Sequence, residues 1–285
     1  MKSFKTLFLI GSLSFKGIGA MIASAFLVQA QAVTLNGPWI QGAMVTGKAS
    51  PGEEIIYNGQ QLQQTPDGDF VFGLGRNAPA VVELQVKLAN GSQKTLSFDV
   101  TQRQYVTQKI EGVASKHVTP PKTVSARISR EAKAVRQART ANDNRSDFLS
   151  TFIWPAKGPL TGVYGSQRIY NGVPKSPHYG VDIAGPKGAE VIAPAGGIVT
   201  FADDDLYYSG GTLIVDHGHG ISSTFIHLSQ IEVTVGATVK QGDLIARIGA
   251  SGRATGPHLD WRMNWFKERI DPQLLFPKNA KPALQ

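Results

Sequence analysis

Gly211-Thr-Leu-Ile-Val-Asp-His-Gly-His-Gly-Ile-Ser-Ser-Thr-Phe-Ile-His-Leu228 decides the fold class. Two short apolar runs, 212–216 and 223–228, flank a glycine-rich turn at 218–220. Both are rich in β-branched residues and too short for a core helix, so they read as strands. The rhythm continues outward. Runs at 191–192, 198–201, 244–248 and 258–263 alternate with turns at 194–197, 209–211, 241–243 and 250–256. Residues 151–285 are therefore expected to form an all-β domain of closely spaced strands.

Upstream, Val82, Leu84, Val86 and Leu88 alternate with polar residues, Asn90-Gly91 turns the chain, and Leu96, Phe98 and Val100 resume the alternation. Period two marks one buried face, and Asn-Gly suits a tight hairpin. Asp67-Gly68 before Phe70-Val-Phe72 repeats the signal. Residues 33–102 read as a small β-sandwich of immunoglobulin-like character, with no chemistry visible in it. Between the two β regions, residues 103–150 form a basic helical connector. Pro120-Pro121 breaks the chain, and Val124, Ile128, Val135 and Ala138 lie near helical spacing through 125–139. That apolar stripe packs on one of the β domains or covers a cleft.

The first 32 residues have the pattern of a cleaved export signal. Lys2 and Lys5 precede an apolar stretch at 7–28, and Ala30-Gln-Ala32 offers small residues for cleavage. Lys16 interrupts the stretch and leaves an uncharged run of 12 residues at 17–28, short of the roughly 20 that span a bilayer. The chain has no cysteine, so neither a disulfide framework nor lipidation on cysteine is available. A periplasmic or secreted protein follows. The net charge of +8 becomes +5 without the signal's three lysines, and residues 103–147 hold ten basic and four acidic residues. The basic character thus belongs to the connector, as a solvated helix or as an attraction to an anionic wall or membrane surface. With no nucleic-acid motif in an exported chain, DNA and RNA are discounted as partners.

Five of the six histidines fall between 178 and 258. His178-Tyr-Gly-Val-Asp182 can bring two ligands to one point if the chain bends at Gly180. His258-Leu-Asp260 places two heads on one strand face, because side chains at i and i+2 project together. His227 sits on a third candidate strand. Nitrogen and carboxylate donors gathered from separate short strands are what a catalytic metal centre needs.

These residues carry a resemblance. Residues 154–275 are similar to the LytM/lysostaphin-type peptidoglycan endopeptidases, the M23 metallopeptidases. The matching stretches are Pro177-His-Tyr-Gly-Val-Asp-Ile183, Val191-Ile-Ala-Pro-Ala-Gly-Gly-Ile-Val199, Gly211-Thr-Leu-Ile-Val-Asp-His-Gly218, Thr224-Phe-Ile-His-Leu-Ser229, Val235-Gly-Ala-Thr-Val-Lys-Gln-Gly242 and Gly256-Pro-His-Leu-Asp-Trp261. The resemblance implies metal ligation by His178 and Asp182. It implies catalytic roles for His258, as base or substrate polariser, and for His227, in stabilising the tetrahedral intermediate. The implied metal is zinc, which activates water and polarises a peptide carbonyl, and the implied substrate and partner is peptidoglycan.

One position departs. Asp260 stands where the family has the histidine that is its third metal ligand. Aspartate also coordinates zinc, but its charge favours manganese or another harder divalent ion. The expected activity is metal-dependent cleavage of peptidoglycan cross-links. The alternative is a catalytically silent LytM-type module that activates a cell-wall amidase or binds the wall. Tyr179 and Arg168 are candidates for the substrate groove. His217 and His219 are expected in turn or supporting roles, and His117 and Asp203-Asp-Asp205 in solvent. Trp261 and Trp265 are expected in the core.

Overall fold

The computed structural model describes residues 33–283. The export-signal reading falls on residues 1–32, outside them. No helix among the described residues is long and apolar enough to cross a membrane.

Seven strands open the described chain: β1 (Thr34–Asn36), β2 (Met44–Lys48), β3 (Glu54–Tyr57), β4 (Gln60–Gln61), β5 (Asp69–Gly73), β6 (Val81–Lys87) and β7 (Gln93–Asp99). They make two sheets, ordered β1-β2-β5 and β4-β3-β6-β7. The alternation read from sequence is met in β6, where Val82, Leu84 and Val86 are buried while Val81, Glu83 and Gln85 face solvent. The hairpin from β6 to β7 turns at Asn90-Gly91, whose glycine has φ 84°.

The connector is not helical throughout. Its first ordered piece is a strand, β8 (Thr107–Ile110), followed by a helical turn, α1 (Ser115–Val118), and the helix α2 (Ser125–Ala138). The β8 strand pairs in parallel with β10 (Gln167–Tyr170), beyond β9 (Leu160–Gly162), and β10 in turn pairs with β11 (Val173–Pro174). Helix α2 has no side-chain cap, no acid in its first turn and no fully buried residue, so its own propensity does little to hold it. Its charges hold it to the strands instead. Arg127 pairs with Glu131 and Asp205, Glu131 accepts from the Tyr207 amide at 2.9 Å, and Arg139 donates to Thr224 Oγ1 at 3.3 Å. Farther on, Arg145 bridges Asp143, Asp147 and buried Asp216. Arg103, Arg127, Arg139 and Arg145 thus engage the protein, while Lys109, Lys116, Lys122, Arg130, Lys133 and Arg136 stay exposed.

The remaining strands build one ten-stranded sheet with β9. They are β12 (Val181–Ala184), β13 (Glu190–Ile192), β14 (Gly197–Leu206), β15 (Gly210–Asp216), β16 (Ile221–Ile231), β17 (Thr238–Val239), β18 (Leu244–Ile248), β19 (His258–Trp265) and β20 (Glu268–Ile270). The main order is β17-β14-β15-β16-β19-β12-β9. The stretch that opened the sequence analysis is β15, a turn and β16, with every residue of β15 buried. This burial explains the unbroken apolar run. Trp261 and Trp265 are core, as expected. Asp203-Asp-Asp205 is exposed, as expected, on the end of strand β14, where Asp205 pairs with Arg127. His117 is not free in solvent, since its ring meets Tyr207 edge-on at 5.2 Å.

A continuous apolar core runs from Ile55, Phe70 and Phe72 to Val181, Trp261 and Ile270. The join is tight. Tyr57 lies 5.9 Å from Trp265, and a Cβ on Gly73 would stand 2.9 Å from side-chain atoms of Trp265 and Ile270. Buried Asp271 accepts an ion pair from Arg103 at 2.7 Å across the same face.

Candidate metal centre

Asp182 and Asp260 are cross-strand partners, paired directly in the antiparallel register of β12 and β19. Like charges opposed across a ladder are unfavourable, so the surroundings must supply positive charge. His178 arrives from the loop before β12. Its Nε2 lies 3.0 Å from Asp182 Oδ1 and 3.3 Å from Asp260 Oδ2. All three residues are buried, with one donor atom from each within 4.8 Å of the others. Glycine permits the approach. A Cβ on Gly162 of β9 would collide with the Asp182 carboxylate, and one on Gly180 would press on Asp260 and the Trp261 carbonyl.

Three histidines share one arrangement. Nδ1 of His178 faces the Val163 carbonyl at 3.2 Å, that of His227 the Ser251 carbonyl at 2.8 Å, and that of His258 the Gly256 carbonyl at 2.8 Å. A carbonyl can only accept, so each neutral ring carries its proton on Nδ1 and leaves Nε2 as a lone pair. The His227 and His258 rings are 4.9 Å apart, and His258 Nε2 lies 3.9 Å from Asp182 Oδ1.

Strand alternation does not account for His227. In the pairing of β15 with β16, Thr212 faces Ile226 and Gly211 faces Leu228, so His227 is the extra residue of a bulge. Its φ is 66°, rare for a residue with a side chain, and its amide donates to the Ser209 carbonyl at 2.8 Å. Bulges re-aim side chains. Here the bulge helps place His227 beside Asp182 and His258 in a cleft of about 470 Å³ that Arg168, Tyr170 and Arg253 also line.

Two arginines neutralise the carboxylates. Arg168 Nη2 donates to Asp182 Oδ2 at 2.6 Å. Arg262 sets a two-pronged grip on Asp260, with Nε to Oδ1 at 2.9 Å and Nη2 to Oδ2 at 2.6 Å. Burial opposes ionisation of Asp260, yet Arg262 and His178 hold its pKa well below the usual range. Asp182 is lowered against its burial by His178 and Arg168. Burial likewise disfavours a charge on His178, and the carboxylates of Asp260 and Asp182 overcome it and raise its pKa.

The donors fit a divalent cation. One imidazole nitrogen and two carboxylates converge, and buried His178 Nε2 and Asp182 Oδ1 complete no hydrogen bond, which leaves both directed at a shared point. Arg262 works against the cation, since it occupies both Asp260 oxygens and adds a like charge.

The other sequence-selected residues fall elsewhere. Arg168 lines the cleft but is engaged with Asp182. Tyr179 lines neighbouring cavities, with the Arg269 guanidinium 5.6 Å from its ring centre. His217 is fully buried, bonded through Nδ1 to the Gly196 carbonyl at 2.7 Å and through Nε2 to Ser223 Oγ at 2.9 Å. His219 is buried, packed 4.7 Å from Phe148. Arg262 was missed in the sequence although the signal was present: it is two residues beyond Asp260 and four beyond His258 on one strand, and therefore shares their face.

The buried histidines give the fold a pH dependence. Burial lowers His217 and His227 to about 4 from an ordinary 6.5. Between those values the unfolded chain takes up two protons that the folded chain refuses, so stability falls as pH falls. Asp216 acts oppositely, since burial raises its carboxyl to about 6 and the folded chain binds that proton first. The two histidines outweigh Asp216, so stability is expected to fall as pH falls from 6 to 4. Urea unfolding of the metal-free protein across that range measures it, and His217→Gln should flatten the slope by about one proton.

Residues 176–272 match the sequence profile of peptidase family M23. The chain carries a peptidase family M23 domain. The match spans all five converging residues, from His178 to Asp260. The chain is 27% identical over 167 residues to the cell division protein DipM of Caulobacter vibrioides, covering 56% of this chain and 26% of that protein. It is 39% identical over 87 residues to the peptidoglycan DD-endopeptidase ShyB of Vibrio cholerae, covering 30% of this chain and 20% of that one. The aligned parts are thus about a quarter of these relatives' length or less. A crystal structure assigned to peptidase M23 from Pseudomonas aeruginosa superposes with a TM-score of 0.66 and 27% identity, over 84% of this chain and 95% of that one. The likeness to that structure therefore extends beyond the M23 domain into the preceding strands.

Proposed function

We propose that this chain is a metal-dependent endopeptidase that hydrolyses the peptide cross-links of bacterial peptidoglycan, with residues 151–285 as its hydrolytic module and residues 1–32 as its export signal. The observation that carries this reading is the convergence of donor atoms from His178, Asp182 and Asp260 beside a cleft lined by Asp182, His227 and His258. His178, Asp182 and Asp260 would hold the metal, zinc or a harder divalent ion. When bound, that ion polarises the scissile carbonyl and lowers the pKa of a water.

The protein's own groups supply the rest. His258 and His227 present acceptor nitrogens to the cleft, so either ring can take the proton of the attacking water. The ring that takes it becomes a donor, able to pass the proton to the leaving amine or to hold the carbonyl oxygen as it gains charge. His227 reaches that donor state less readily, because burial holds its pKa near 4. The neutral ring presents a lone pair and no donor to the cleft, so the oxyanion role implied by the resemblance requires that His227 first take a proton, which its burial opposes. The backbone carbonyls on Nδ1 fix both ring orientations.

Elemental analysis of the purified chain, alongside digestion of purified sacculi, tests this. One divalent ion per chain and release of cross-linked peptides are expected, with both lost in Asp260→Ala. The grip of Arg262 on Asp260 favours a second reading, a metal-free module that activates a cell-wall amidase. A chain that holds no metal, leaves sacculi intact and stimulates an amidase equally well as Asp260→Ala would establish that reading instead.

A further inference from the structure

A cavity of about 480 Å³ lies beside the metal cluster, walled by α2 on one side and by strand residues on the other. It shares Arg168, Tyr170 and Arg253 with the histidine-lined cleft, so the two spaces meet at those side chains. Five guanidinium groups line it: Arg139, Arg168, Arg253, Arg262 and Arg269. Two are spoken for by Asp182 and Asp260.

The other three have no carboxylate partner among the described residues. Arg139 donates only to Thr224 Oγ1, and its Nε is sealed from solvent without any hydrogen-bond partner. Arg269 donates to Asn264 Oδ1 at 3.1 Å. Arg253 lies between Tyr170 and Tyr208, 4.8 Å from each ring centre. The one acid lining this space, Glu131, is already held by Arg127 and the Tyr207 amide. Burial and mutual repulsion lower the pKa of Arg139, and lower that of Arg269 to about 10.

Half-buried like charges crowded together without a counter-charge are costly unless a ligand brings one. We propose that this cavity is an anion subsite that binds a carboxylate-bearing end of the peptide substrate, a proposal that rests on the endopeptidase reading. Guanidinium forks match a carboxylate in shape as well as charge. The volume falls in the range of small-ligand pockets. Ile128, Val135 and Leu206, with the rings of Tyr179 and Tyr208, give the space an apolar and aromatic wall. Such a wall suits an amino-acid residue ending in a carboxylate better than a bare inorganic anion. The site lies next to His178, so a peptide seated there is held within reach of the cleft and selected by its acidic group.

Calorimetric titration of the full chain, stripped of metal by chelation, tests the subsite separately from hydrolysis. The probes are acetyl-D-alanyl-D-alanine as the free acid, the same peptide as its C-terminal amide, and inorganic phosphate. The free acid is expected to bind at least tenfold more tightly than the amide. Arg269→Gln and Arg139→Gln should each weaken the free acid at least tenfold and leave the amide unchanged. Thermal unfolding guards against a folding artefact. Each variant removes an uncompensated charge and should melt no lower than the parent, while the free acid raises the melting temperature of the parent alone. Equal binding of acid and amide, or unaltered binding in both variants, overturns the proposal. Binding of phosphate without the peptide acid also overturns it, by making the site one for inorganic anions. Carboxylate binding with no digestion of sacculi would defeat the endopeptidase reading and keep the subsite, whereas digestion without carboxylate preference would do the reverse.

Discussion

Replacing His258 with alanine is expected to lower kcat for cross-link hydrolysis by about 10²–10⁴-fold, the usual scale for a lost general acid or base. Bound metal should stay at the parental level, because His258 is not among the three residues whose donor atoms converge. His227→Ala should behave similarly, and the double variant should lose less than the product of the two if both rings serve one proton path. Steady-state kinetics on muropeptides with metal analysis of the same samples checks this. A variant that loses metal along with activity would place His258 in the ligand set.

The second large effect concerns Arg262. Asp260 is almost wholly buried, and Arg262 is its principal counter-charge. Removing one partner of a buried pair strands the other, a loss of about 3–5 kcal/mol. Arg262→Met should therefore destabilise the metal-free protein by about that amount. It should also give the cation undisputed access to both Asp260 oxygens. Added divalent metal is expected to raise the variant's melting temperature by more than it raises the parent's, since a ligand that binds only the folded state stabilises it in proportion to its affinity. Melting curves of both proteins across a metal titration measure the difference. Equal metal-induced shifts would mean that Arg262 and the metal do not compete for Asp260.

The sequence was most legible where one physical rule acted alone. Period two in β6 and the glycine turns around β15 and β16 followed from pleat geometry and backbone freedom, and both are met. The i, i+2 relation of His258 and Asp260 was readable for the same reason. Legibility failed where tertiary contacts chose among local options. Residues 107–110 carry no strand signature that alternation could detect, and they are a strand because β10 offers a parallel edge. Nothing in Ser223-Thr-Phe-Ile-His-Leu228 announces a bulge, since His227 takes its unusual φ only when Ser209 and Ser251 hold its amide and ring. The connector's arginines looked solvated because a count of charges does not reveal which ones meet a buried wall.

The core that runs unbroken between the N-terminal sheets and the sheet bearing the histidines has a practical consequence for anyone seeking a minimal M23 fragment. A cut made where sequence composition changes would strip the cover from Trp265 and Ile270 and leave Asp271 without Arg103. The truncated piece would show a sticky apolar face to its own copies. The N-terminal sheets are thus less a detachable accessory than a permanent cover for the strand that presents Asp260, and a portable version would need that face redesigned.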